Sequence, residues 1–404
     1  MNMITPSWPT DTKIRLPYPY LTTLHLVPGI DDNGREVFHL RKGAQPTGAS
    51  TLPREVYYDR LSFTRPQLST ATAASSTQRG FRPSPMSVCT WNSMGVVTIN
   101  HIWLIIYAIF TVEPNLEIIR LQLKGHGSDA IAEELQRSML GLRTKDELMV
   151  FRSAFWQGCA SPLGSRPIWT PSSSTAVPHL HHVTTSTATT FCTHPLRPPK
   201  PTPGSVAYSR YIPQLDKTFF LVTIDHRNPL HAELLHQWQT NSAMNGQMGA
   251  TGDSHEHPEH LRKDPTTHKL GLLGEFDATP FGYFEVSWAK EDVLGAPCSA
   301  GDFDRGFQVL IGDSFFTKGS WMQAWWLSLL HYMFLDEHRT ESVFGELPGD
   351  EPLGDASPEL FEDLVVNLPH RRINLVKCLR EQFFQFCSFD RHSTTVALKS
   401  QARL

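Results

Sequence analysis

Residues Phe307–Glu346 read FQVLIGDSFFTKGSWMQAWWLSLLHYMFLDEHRTESVFGE, and the pattern of this stretch decides the fold class. FQVLIGD is a short apolar run, as expected of a buried strand. SFFTKGS follows, and Lys318, Gly319 and Ser320 lead into a helix. Met322, Trp325, Trp326, Leu329, Leu330, Met333 and Phe334 recur at helical spacing and make one wide apolar face. Asp336-Glu-His-Arg-Thr ends that pattern, and SVFGE (Ser342–Glu346) reads as the next strand. Strand, loop, helix and strand in this order close as a right-handed parallel crossover, the unit of an α/β fold.

The loop inside the crossover carries the first chemical signal. A glycine and small residues ahead of a helix N-terminus offer free backbone N–H groups and the positive end of the helix dipole. Both suit a pyrophosphate such as that of coenzyme A. Gly312, Lys318, Gly319 and Ser320 are the candidates for such a contact. An ordinary crossover loop has a similar composition, so this signal is weak by itself.

Outward from this unit, GYFEVSW (Gly282–Trp288) alternates, with Phe284, Val286 and Trp288 on one face and Tyr283, Glu285 and Ser287 on the other. Tyr208–Ile224 suggests a first strand of this half, and Leu230–Gln239 a short amphipathic helix. Residues 170–205 are rich in Ser, Thr, Pro and His; such a stretch buries too little apolar surface to offset its ordering entropy and reads as a linker. Before it, IIRLQLK has strand-like alternation and Asp129 opens a helix, while residues 1–80 read as strands and turns. The expected organisation is residues 1–169, a linker at 170–205, a second domain at 206–390, and a flexible tail at 391–404.

The chain has 404 residues, room for two ordinary domains. Lys plus Arg is 36 against 40 Asp plus Glu, a net charge of -4 that argues against nucleic acid as the main partner. The six cysteines, at 89, 159, 192, 298, 378 and 387, show no metal-ligand spacing, and the N-terminus has no secretory pattern. Met94–Val112 is nearly long enough to span a bilayer, but Asn100 and His101 interrupt it; a buried element of a folded core is the expectation, and membrane association is not. His179, His181 and His182 read as a solvated cluster, and His255, His257 and His260 fit no metal-binding spacing, so no metal is expected.

The run from Gly274 to Glu346 resembles the GNAT acyltransferases of hydroxamate siderophore synthesis. The matching features are P-x-G-Y-x-E-x-x-W-x-x-E-D from Pro280, D-R-G at 304–306, S-L-x-H-Y-x-F-L-D-x-x-R-T from Ser328, and P-H-R-R at Pro369–Arg372. IYAIFTVEPNLEIIRLQLKG and FRSAFWQGCASPLGSRPIW in the first half are similar to the fungal members. The resemblance implies a GNAT fold in two GNAT-like halves, the N-terminal one degenerate. It also implies an acyl-CoA co-substrate, no metal, and transfer of the acyl group to the hydroxylamine of N5-hydroxyornithine.

The resemblance further suggests site residues. Asp350 and Gln308 take catalytic positions, and Glu285, Asp304, Arg305 and His370 acceptor-side positions. Asp304 and Arg305 are equally open to a bracing role. The family pattern D-R-G-x-H has a His where this chain has Gln308, and glutamine cannot serve as a general base. An anhydromevalonyl donor is favoured, with an acetyl donor and a non-catalytic binding module as alternatives. Ala402-Arg403-Leu404 follow the small–basic–leucine pattern of a peroxisomal address, which predicts a peroxisomal location and an import receptor as partner, with a cytoplasmic location as the alternative.

Overall fold

The structure, a computed structural model, describes residues 8–9, 12–68, 84–92, 96–144, 147–158, 182–186, 190–240, 268–293, 295–317, 319–346, 360–368, 371–387 and 389. The chain divides into two compact units, Met1–Ile168 and Trp169–Leu404.

In the first unit the elements run β1 (Lys13–Arg15), β2 (Thr23–Ile30), β3 (Glu36–Lys42), β4 (Ser62–Phe63), β5 (Met86–Thr90), α1 (Ile99–Val112), β6 (Ile118–Lys124), α2 (Ser128–Arg137), β7 (Gly141–Arg143), β8 (Leu148–Phe151) and α3 (Arg152–Trp156). They build one eight-stranded sheet in the order β1-β2-β3-β4-β5-β6-β8-β7. Its parallel pair is β5 with β6, and α1 makes the crossover between them.

Helix α1 comes from the apolar stretch weighed above for a bilayer. It is 14 residues long and buried continuously from His101 to Thr111. No described helix is long and apolar enough to cross a membrane. Trp103 and Tyr107 stack one turn apart at 5.6 Å and pack on Phe155 of α3, so all-round burial replaces amphipathicity here. His101 is accommodated as a neutral ring. Its Nδ1 accepts the Thr98 N–H (3.0 Å) and its Nε2–H donates to the Arg54 carbonyl (2.8 Å). Burial holds its pKa below the ordinary 6.5.

The second unit contains β9 (His182–Ser186), β10 (Phe191–Pro195), β11 (Val206–Ile212), β12 (Lys217–Thr223), α4 (Pro229–Thr240), β13 (Lys269–Phe276), β14 (Thr279–Trp288), β15 (Arg305–Ile311), α5 (Gly319–Asp336), β16 (Ser342–Glu346), β17 (Glu362–Leu368), β18 (Arg371–Leu379) and α6 (Arg380–Phe386). Its main sheet has the order β11-β12-β13-β14-β15-β16-β18-β17, the same topology as the first unit. The parallel pair, β15 with β16 across α5, again falls between the fifth and sixth strands in the order. Two halves of like topology, as the resemblance implied, are therefore visible in strand order.

One face of the second sheet carries α5. Trp325 meets Phe284 at 5.5 Å and Trp326 meets Phe307 at 5.1 Å, ring centroid to centroid. Both indoles are 1% exposed, and truncating either to Ala removes a volume whose loss typically costs about 3–5 kcal/mol. The other face carries α4, where Leu235 and Trp238 pack with Ile224, Leu273, Tyr283 and Leu310.

Three readings from the sequence are revised. Tyr208–Ile224 is a hairpin, β11 and β12, because Pro213 opens a short 3-10 turn and Asp216 turns the chain at φ 50°. The single apolar face expected of α5 is instead burial on all sides from Ala324 to Leu335, since α6 covers the outer side, with Phe334 against Phe383 at 5.4 Å. Residues 170–205 are not structureless throughout, because β9 and β10 pair as a hairpin. His194 of β10 is 4% exposed, beside the Glu291 carboxylate at 3.3 Å. Arg197 reaches that same carboxylate at 2.6 Å and lies 4.3 Å from the Trp288 ring centroid.

Candidate active site

The site starts from the end of a ladder. Among the described residues β15 and β16 pair at three positions, Arg305–Val343, Gly306–Phe344 and Phe307–Gly345, while β15 continues to Ile311. Gly345 keeps the last of these close, because a Cβ there would come within 2.1 Å of the Phe307 ring. On its other edge β15 is laddered to β14 along its whole length, from Trp288–Arg305 to Gly282–Ile311. The Ala289 N–H donates to Asp304 O (2.9 Å) and the Gly312 N–H to Phe281 O (2.7 Å), which fixes the alternation. Even-numbered residues of β15 bond to β14, so the N–H groups of Val309 and Ile311 face the β16 side, beyond the last described β15–β16 pair.

In the first unit the described pairing runs further. β5 and β6 pair at five positions from Met86–Arg120 to Thr90–Lys124, and the Trp91 N–H extends the ladder to Lys124 O (3.0 Å). The Trp91 indole then lies over Gly125, where a Cβ would come within 2.2 Å of it.

Beside the end of this pairing, on the face away from α5, lies a small cleft, partly open to solvent. Its lining is Glu285, Ser287, Ala289, Asp292, Gly306, Phe307, Gln308 and Phe344. Glu285 and Gln308 are direct cross-strand partners, and so are Ser287 and Gly306. Gly306 deepens the floor, since a Cβ there would meet Ser287 Oγ at 2.8 Å.

The Glu285 carboxylate is held from two sides. Lys269 Nζ lies 3.1 Å from one oxygen, and the Tyr283 hydroxyl donates to the other at 3.2 Å. Burial first, and then the charge and hydrogen bond of Glu285, push the Tyr283 phenol well above its ordinary value, so it stays a donor. At the far end Asp292 follows a 3-10 turn, Ala289–Glu291, and its carboxylate lies 3.6 Å from His268 Nε2.

The structure brings Glu285 and Gln308 together in the cleft and places other expected site residues elsewhere. Asp304 is 8% exposed and accepts the Gly301 and Ser342 N–H groups, each at 2.8 Å, which ties the start of β16 to β15. Arg305 pairs with Asp336 at 2.9 Å and lies 4.2 Å from the Trp288 ring centroid. Gly312 follows β15, and a Cβ there would strike the Trp238 indole at 2.1 Å, so its requirement is close packing. Gly319 (φ 58°) and Ser320 are exposed at the start of α5, at the open end of β15. Asp350, Lys318 and His370 lie outside the described residues, as do His255, His257, His260 and Ala402–Leu404. Among the described residues no cluster of His, Cys, Asp or Glu could hold a metal ion. Ser287, Asp292, Gly306 and Phe344 were not singled out from the sequence; the alternation of GYFEVSW put Ser287 on the Glu285 face and was the available signal.

Comparison with known proteins finds relatives along most of the chain. A profile of the acetyltransferase (GNAT) domain matches residues 228–348. An N(5)-hydroxyornithine:cis-anhydromevalonyl coenzyme A-N(5)-transacylase of Beauveria bassiana is 36% identical over 435 residues, covering 94% of this chain and 93% of the relative. A hydroxyornithine transacylase of Ajellomyces capsulatus is 36% identical over 413 residues, covering 93% and 94%. A protein of Stachybotrys chartarum that carries an O-acetyltransferase name is 33% identical, covering 93% and 92%.

Proposed function

The chain belongs to the GNAT-type siderophore N-acyltransferase family, and from that premise we propose that it transfers an acyl group from coenzyme A to the hydroxylamine nitrogen of N5-hydroxyornithine. The observation that carries the proposal is that the described β15–β16 pairing ends at Phe307–Gly345, directly beside the Glu285–Gln308 pair. The edge of β15 beyond that pair suits the extended arm of an acyl-CoA, and the exposed start of α5 at the same end suits its phosphates.

In this reading the thioester carbonyl accepts a hydrogen bond from one of the backbone N–H groups of β15 on its β16 side, Val309 or Ile311, which stabilises the developing oxyanion. A hydroxylamine is a weaker base than an alkylamine, so its nitrogen attacks uncharged. Glu285 takes the proton that this nitrogen loses as the new N–C bond forms. When the tetrahedral intermediate collapses, the C–S bond breaks and the proton passes to the departing sulfur, leaving a hydroxamate, free CoA thiol and Glu285 as a carboxylate. Gln308 donates its amide N–H to the acceptor's hydroxyl oxygen and orients the nitrogen. Holding both substrates in one cleft supplies much of the remaining rate. Asp350 and His370 are kept in the proposal on their sequence positions, as a second acid–base group and an acceptor contact, and Lys318 as a phosphate contact. Asp304 and Arg305 are assigned to positioning the strand.

The donor we favour is anhydromevalonyl-CoA, from the naming of the Beauveria relative. Ala402-Arg403-Leu404 support a peroxisomal address, which a C-terminal fusion masking the tripeptide would abolish. The reaction is tested by thiol release from the purified protein with N5-hydroxyornithine and, separately, anhydromevalonyl-CoA and acetyl-CoA. Release that needs both substrates and prefers the branched donor supports the proposal. Preference for acetyl-CoA moves the donor assignment. No release with either, from folded protein, overturns the reaction and leaves a binding module.

A further inference from the structure

The chemistry given above uses none of the charges in one buried cluster beside the cleft. Glu291, the last residue of the 3-10 turn Ala289–Glu291, is 6% exposed. Its carboxylate accepts a hydrogen bond from Arg197 Nε at 2.6 Å and lies 3.3 Å from His194 Nδ1. Both partners belong to the β9–β10 hairpin: His194 is in β10, and Arg197 follows that strand by two residues. The Thr185 hydroxyl of β9 lies 2.7 Å from His194 Nε2 and fixes the ring from the other side. Arg197 also donates to the Asp302 carbonyl at 2.5 Å and lies 4.3 Å from the Trp288 ring centroid. The Asp302 carboxylate lies 2.6 Å from Lys290 Nζ and 3.8 Å from His182 Nε2 of β9. The hairpin is thus tied to the chain at Trp288, Glu291 and Asp302.

That same stretch of chain builds one wall of the cleft. Ala289 and Asp292 line it, while Glu291 between them is turned to the hairpin. The wall lies at the Arg305 end of β15, because the Ala289 N–H donates to the Asp304 carbonyl. The start of α5, offered above to the phosphates of CoA, lies at the Ile311 end. The wall is therefore left to the acceptor. We propose that the β9–β10 hairpin is part of the acceptor site, with Arg197 and Glu291 acting as one buried ion pair that positions the Ala289–Asp292 wall. The inference rests on the function given above and deepens it. Arg197 and Glu291 are positioning residues, since neither lines the cleft. Removing one partner of a buried pair leaves an uncompensated charge and is costly, whereas removing both together is often nearly neutral. The pair should behave in this non-additive way toward the acceptor and not toward the donor.

The test is a cycle of Arg197→Met, Glu291→Gln and the double variant in the full chain. Each single variant should raise the KM for N5-hydroxyornithine about tenfold and leave the KM for acyl-CoA within about twofold of wild type. The double variant should recover to within about threefold of wild type. Arg197→Lys keeps the charge beside Glu291 and covers the case in which a single variant does not fold; it should raise the acceptor KM alone, by about threefold. An acceptor KM equal to wild type, both KM values rising together, or a double variant as impaired as the two singles combined overturns the proposal. Hydrogen exchange reads the wall without turnover. The Ala289 and Asp292 amides, bonded to Asp304 O and Ala289 O, should exchange about tenfold faster in Arg197→Met and Arg197→Lys, with β13 amides unchanged. Unchanged exchange at the wall overturns the proposal. Faster exchange there in a protein whose wild type transfers no acyl group supports the hairpin's hold on the wall and overturns only the reaction.

Discussion

Phe307 and Gly345 are the last described partners of the β15–β16 ladder, and the Phe307 ring fills the space that a side chain at 345 would need. The ring is fixed from its other side by Trp326, at 5.1 Å, so it cannot yield freely. Gly345→Ala should therefore overpack this pair, at a cost of about 1–3 kcal/mol. Because the same pair borders the cleft, the KM for acyl-CoA should rise as well. A lowered thermal midpoint with an unchanged donor KM would separate packing from binding and contradict the placement of the donor here.

Glu285→Gln keeps the size of the side chain and removes its charge. Loss of a positioned proton acceptor should lower kcat by about a hundredfold or more, with donor KM little changed. Gln308→His places an imidazole opposite Glu285 in the ladder. Its kcat/KM should gain a limb that rises with pH near about 6.5, the ordinary histidine value. A pH–rate profile indistinguishable from wild type would mean that position 308 does not face the reacting nitrogen.

The first unit has the same strand order but a longer described parallel pairing, five positions against three, with Trp91 over Gly125 at its end. Calorimetric titration with CoA should give one site per chain. A stoichiometry of two would show that the first unit takes the ligand by another route.

His101 gives the first unit a pH dependence of known sign. Burial lowers its folded pKa below 6.5, so on acidification the unfolded chain binds the proton first. Its stabilising contribution is fully present above the unfolded value and is lost as pH falls through the folded one. The thermal midpoint of wild type should drop more than that of His101→Gln between about pH 7.5 and pH 5.5. Equal drops would assign the sensitivity to other groups.

Much of the second unit was legible because its elements carry strong local signals. The crossover of β15, α5 and β16 follows from a buried apolar run and a helical repeat, and the alternation of GYFEVSW put Glu285 and Ser287 on one face. What was not legible depends on contacts distant in sequence. Arg197 reaches Glu291 across 94 residues, so the hairpin of β9 and β10 cannot be read from a composition typical of linkers. Asp304 looks like a site residue in a D-R-G motif until the backbone of β16, 38 residues on, is seen to donate to it. Phe344 reaches the cleft through its register with Gly306, and Asp292 from the turn after β14, neither of which the sequence displays.

The central claim is acyl transfer to nitrogen, and the bond formed in the product tests it most directly. Wild-type protein is incubated with N5-hydroxyornithine and anhydromevalonyl-CoA, and the product is analysed by fragmentation mass spectrometry and by colour formation with ferric ion. The account predicts a hydroxamate, with the acyl group on N5 and a coloured ferric complex. A product acylated on oxygen, or CoA binding without any acylated product, would contradict it.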